Sequence, residues 1–96
     1  WMENDMLTRD ARLKIPEQVV TRQVGDETVL LNLESGTYFG LDPVGSRFLE
    51  LLEADGALAA VIARMLEEFE VTEAQLEDDL LRLADEMLAS GLLETA

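Results

Sequence analysis

The sequence predicts an α+β fold: a three-stranded antiparallel meander followed by three helices. Three observations carry this. Between residues 18 and 41 the chain is rich in β-branched and aromatic residues, and two glycine-containing turns interrupt it. From Asp42 onward the apolar period changes to that of a helix. Helix start and stop signals then divide the remainder into three segments.

The first run, Gln18 to Val24, contains Val19, Val20, Thr21 and Val24. Gly25-Asp26-Glu27 breaks it from Thr28 to Leu33 (TVLLNL), and Gly25 supplies the positive φ that a hairpin needs. Glu34-Ser35-Gly36 then reads as a turn with Gly36 left-handed, leading into a third strand, Thr37 to Leu41 (TYFGL). Alternation places Val29, Leu31 and Leu33 on the face toward the helices, with Thr37, Phe39 and Leu41 on the same side of the third strand. Tyr38 and Gly40 are then expected to point outward, and Leu30 breaks the polarity of that outer face.

Asp42-Pro43 is an N-cap with proline at the first helical position. Phe48, Leu49, Leu51 and Leu52 form the apolar stripe of this helix, and Asp55-Gly56 is expected to end it. A second helix is predicted from Ala57 to Phe69. Thr72-Glu73-Ala74-Gln75 matches a capping box opening a third, which runs to about Ser90, stops at Gly91 and lets Leu92 and Leu93 fold back. Residues 1–16 are polar, mixed in charge and expected to form a loose N-terminal arm before a domain spanning 17–94. Trp1, ahead of Met2, reads as a cloning remnant.

The chemistry available is narrow. The 96 residues include no His and no Cys, so imidazole bases, thiolate nucleophiles, disulfides and standard zinc sites are excluded. Ser35, Ser46 and Ser90 have no histidine to activate them. Adjacent acids such as Asp78-Asp79 diverge by about 100° on a helix and cannot converge as a catalytic pair. No enzyme activity, cofactor or metal is therefore expected. No apolar run approaches the roughly 20 residues of a membrane span, and a chain without cysteine suits the cytoplasm.

The net charge of −14 is uneven, with fourteen acids against three bases from residue 42 on. Such a surface repels phosphate backbones and favours basic peptides or basic protein surfaces. A DNA-binding domain is the alternative for a chain of this layout. It is opposed by a third helix carrying Glu73, Glu77, Asp78, Asp79, Asp85 and Glu86 with Arg82 alone. A dimerisation domain is another alternative, and the expected state is a monomer or a weak homodimer.

The stretch VLLNLESGTYFGLDPVGSRFLELLEADG, residues 29–56, followed by LEDDLLRLADEMLASGLLE, residues 76–94, resembles the PqqD family. Its relatives are the recognition elements for precursors of ribosomally made, later modified peptides (RiPPs). The likeness covers residues 17–94 and is strongest to the stand-alone versions that accompany lasso-peptide leader peptidases. It implies a winged-helix-like fold and a non-catalytic role: binding a precursor's leader peptide and delivering it to a modifying enzyme, such as a leader peptidase. It also implies that the leader adds as a strand to the third strand and lies against the third helix. Carried onto this sequence, that gives Thr37, Tyr38, Phe39, Gly40 and Leu41 from the strand. From the helix it gives Asp79, Leu80, Arg82, Leu83 and Met87. The strand can play this part physically, because TYFGL carries no proline or charge to blunt its edge. The family often has basic groups near this groove, and the acidic third helix departs from that pattern.

Overall fold

A computed structural model of the chain describes residues 7–96. The order is β1 (Leu13–Lys14), β2 (Val19–Val24), β3 (Glu27–Asn32), β4 (Tyr38–Leu41), α1 (Pro43–Ala54), α2 (Leu58–Glu68), α3 (Glu73–Ala89) and β5 (Glu94–Thr95). The predicted meander is present as an antiparallel sheet in the order β2-β3-β4, and the three helices follow it. None of the described helices is long and apolar enough to cross a membrane.

The turn and cap signals act as their chemistry requires. Gly25 and Gly36 take φ of +66° and +77° in the two hairpin turns. Asp42 caps α1 by accepting from the Gly45 N–H at 2.8 Å, and Thr72 caps α3 by accepting from the Gln75 N–H at 3.2 Å. The core lies between the inner sheet face and the helices. Leu30, Phe48, Leu58, Ile62, Met65, Ala84, Met87 and Leu92 are fully enclosed there.

Three expectations need correction. The inner face of β3 is Thr28, Leu30 and Asn32, all buried, whereas Leu33 is 63 % exposed. The β3–β4 loop is Leu33 to Gly36, one residue longer than the three-residue turn read from the sequence, so Asn32 rather than Leu33 faces Thr37: the Asn32 N–H donates to the Thr37 carbonyl at 2.8 Å. Because strand side chains alternate with a period of two, that one residue moves the whole set to the other face. Val29 and Leu31 therefore face outward with Tyr38, in the rows Val20–Leu31–Tyr38 and Arg22–Val29–Gly40.

The second correction concerns the N-terminal segment. Residues 7–16 are not loose: Leu13 is buried, Leu7 and Ile15 pack on the core, and β1 pairs with β5. Arg9 also reaches Glu73 at 2.8 Å and Glu77 at 2.9 Å on α3. Residues 1–6, the rest of the expected arm, lie outside the described residues. The third correction is the role of Gly56: α1 ends at Asp55-Gly56 as expected, but Gly56 does not take the left-handed φ of a glycine helix stop. The helix closes at Asp55, and a side chain at Gly56 would meet the Leu13 carbonyl oxygen at 2.7 Å. Glycine is needed there because the N-terminal segment crosses the chain at that point.

Candidate functional site

The hydrogen-bond parity of the sheet decides which backbone groups are free. Antiparallel partners alternate between bonded and non-bonded pairs. Asn32 and Thr37 are a bonded pair, so Leu30–Phe39 and Thr28–Leu41 are bonded as well. Phe39 and Leu41 thus turn their N–H and C=O groups toward β3. Those of Tyr38 and Gly40 point away from the sheet, along its open edge. Their side-chain positions lie on the outer sheet face, and Tyr38 is 71 % exposed.

That edge opens onto a cleft of about 500 Å³. Phe39, Gly40, Leu41 and Asp42 form one wall, Asp79, Leu80 and Leu83 of α3 form the other, and Val44 and Gly45 of α1 close one end. The fold holds these walls in register at both ends. Asn32 is buried and donates from Nδ2 to the Gly91 carbonyl at 2.8 Å, while its Oδ1 accepts from the N–H groups of Glu34 and Ser35. One side chain therefore ties the β3–β4 turn to the C-terminal end of α3. At the opposite end, the Ser46 hydroxyl donates to the Leu41 carbonyl at 3.3 Å, joining β4 to α1.

Of the ten residues nominated from sequence, the strand residues Tyr38, Phe39, Gly40 and Leu41 and the helix residues Asp79, Leu80 and Leu83 meet at this edge and cleft. Thr37 precedes β4 and bonds within the turn, to the Asn32 N–H and to Ser35. Arg82 faces solvent with a 71 % exposed side chain and pairs with Asp78. Met87 is fully enclosed in the core. Sequence reasoning missed Asp42, Val44 and Gly45. The Asp42-Pro43 start signal directly after β4 held the clue, since the first turn of α1 has to lie against the end of that strand.

The cleft's charges are Asp42 and Asp79. Asp42 is engaged as a helix cap, and Asp79 accepts from Gln75 Nε2 at 3.0 Å. Among the described residues no group of three or more His, Asp or Glu is placed to hold a metal ion. The perturbed acid–base groups lie elsewhere. Arg47 holds Glu68 down to about 2 through a hydrogen bond, with Arg64 adding to it, and Arg47 is itself raised by Glu68 and Glu50. Arg9 is raised by its hydrogen bond to Glu73 and by the nearby Glu77.

Residues 27–93 match the sequence profile of coenzyme PQQ synthesis protein D (PqqD), which is well over half the chain. The chain belongs to the PqqD family. Its fold is also that of TbiB1, solved in complex with the TbiA(beta) leader peptide. The two are 40 % identical and superpose with a TM-score of 0.80, covering 84 % of this chain and 94 % of TbiB1. None of the curated proteins compared with the chain matches it. The matched PqqD region takes in β3, β4 and all three helices, so every element lining the cleft belongs to the family domain.

Proposed function

We infer that this chain is a non-catalytic adaptor that binds the leader region of a ribosomally made precursor peptide and presents it to a modifying enzyme. The leader adds as a strand to β4 and packs its inward side chains against α3. The observation that carries this reading is the coincidence of a free β edge with an apolar wall. Tyr38 and Gly40 offer unpaired backbone groups where Leu80 and Leu83 supply a surface for alternate side chains. Four residues of β4 give about 13 Å of edge, enough for a short extended segment. The complex of the 40 % identical TbiB1 with a leader peptide supports the ligand class.

The partner enzyme in this reading is a lasso-peptide leader peptidase, and the place of action is the cytoplasm, where a fresh ribosomal product is met. Nucleic acid is opposed by the charge of α3, on which Glu73, Glu77, Asp78, Asp79, Asp85 and Glu86 outnumber Arg82.

The test is a titration of the isotope-labelled chain with the TbiA(beta) leader peptide, following backbone amide shifts. Shifts concentrated in residues 37–42 and 79–83 are expected. Binding that leaves those residues unperturbed overturns the assignment of the groove. Absence of binding to this and other RiPP leaders overturns the adaptor reading.

A further inference from the structure

We propose that the segment held in the β4–α3 cleft is apolar and basic, with a Lys or Arg side chain held between Asp42 and Asp79. This deepens the leader-binding reading and rests on it.

The chain's own cations all lie outside the cleft. The sequence holds seven bases, and six of them are spent on internal ion pairs: Arg9, Arg12, Lys14, Arg47, Arg64 and Arg82. The seventh, Arg22, stands opposite Val29, on the outer sheet face and two strands from β4. The cleft lies on the inner face. No protein cation therefore lines it, and among the described residues neither Asp42 nor Asp79 has an ion-pair partner. Their neighbour Asp78 does, with Arg82. Many surface acids, Asp85 and Glu86 on the same helix among them, are equally without an ion pair; Asp42 and Asp79 are the two that line the cleft.

An anionic ligand has no counterpart there. The N-terminus of α1 reaches the cleft and would favour an anion. Its Gly45 N–H is already taken by the Asp42 carboxylate, which brings its own negative charge. A strand added to β4 presents every second side chain to the helix layer. Apolar side chains at those positions meet Phe39, Leu80 and Leu83, and the next position, past Leu41, comes to the two carboxylates. A Lys or Arg fits that order: its aliphatic stem lies along Val44 while its charged head reaches the acids.

The experiment is selection of a random displayed peptide library on the whole chain and, in parallel, on Asp79→Lys. Asp79 is exposed, and a thermal melt confirms that the variant stays folded. The expected result is enrichment of peptides with alternate apolar residues and a Lys or Arg, depleted in Asp and Glu. On Asp79→Lys the preference moves to an acidic residue at the same spacing. Asp79→Asn should weaken an enriched basic peptide by about threefold, and added salt should remove that difference. Peptides that map to β4 and α3 but are acidic, or whose charge preference is unchanged on Asp79→Lys, overturn this proposal and leave leader binding standing. A library in which nothing is enriched overturns both.

Discussion

Among the described residues the sheet has two open edges, and we propose only one of them as a binding site. On β4 the free backbone groups belong to Tyr38 and Gly40. On β2, the pairing of the Leu33 N–H with the Gln18 carbonyl at 2.8 Å fixes the parity, so those of Thr21 and Gln23 are free. Both edges lack proline. Length does not decide between them, since β2 has six residues and β4 four. The backing layer does. The β4 edge opens onto a cleft of about 500 Å³ walled by Leu80 and Leu83, with Phe39 and Leu41 on the inward face. The inward positions of β2 are Val19, Thr21 and Gln23; Val19 is already buried in the core, and Thr21 and Gln23 lie beside a notch of about 70 Å³ that includes Glu50 and Glu53 of α1. A strand added there would gain main-chain bonds but bury little apolar surface, and burial supplies most of the stabilisation. An open edge becomes a site when a second element stands off it at side-chain distance.

The largest difference between the edges should come from removing a donor from each. Gly40→Pro should weaken leader binding by about thirtyfold, because it deletes one main-chain bond and sets a ring against the incoming strand. Gln23→Pro deletes the equivalent donor of β2 and should leave affinity unchanged; titration calorimetry on the two variants compares them. Gly40→Ala separates backbone from bulk. A Cβ at that position meets nothing within 4 Å, so the fold should tolerate it within about 0.5 kcal/mol by denaturant melt.

A smaller effect comes from the wall. Leu83→Asp sets an unpaired carboxylate against the leader's apolar side chains and should cost about tenfold in affinity. Glu53→Ala, in the β2 notch, should cost nothing.

Smaller again is the effect of the tie between the walls. Asn32→Ala leaves the Gly91 carbonyl and the turn amides of Glu34 and Ser35 without their partner. It should lower stability by about 1–3 kcal/mol and weaken binding by only about threefold, a split read from melts and calorimetry together.

The least effect on binding is expected from the Arg47–Glu68 pair, which lines neither edge. Glu68 is depressed from 4.5 to about 2, so its contribution to stability is complete above the unfolded value and is lost as pH falls from about 4.5 toward 2. Glu68→Gln should flatten that part of the stability-against-pH curve and leave leader affinity at neutral pH unchanged.

Element order, both hairpin glycines and the caps Asp42 and Thr72 were legible because each is a local signal with a local cause. The face of β3 was not. TVLLNL is apolar at both parities, and the loop length that settles it depends on Asn32 accepting two turn amides, a contact no periodicity encodes. The strand half of the proposed site could be read from TYFGL, since edge chemistry belongs to the strand itself. The helix half was legible as a stripe but not as a boundary between core and cleft. Leu83 and Met87 are one turn apart, yet Leu83 lines the cleft and Met87 lies wholly inside. The buried segment around Leu13 was missed because a two-residue strand is too short to carry a period.

Hydrogen exchange at single amides distinguishes strand addition at β4 from addition at β2. In the free chain, the amides of Phe39 and Leu41, bonded to β3, should be protected, while those of Tyr38, Gly40, Thr21 and Gln23 exchange fast. With leader bound, Tyr38 and Gly40 should become protected while Thr21 and Gln23 stay fast. A bound leader that leaves Tyr38 and Gly40 exchanging freely, or protects Thr21 and Gln23 in their place, would contradict strand addition at β4.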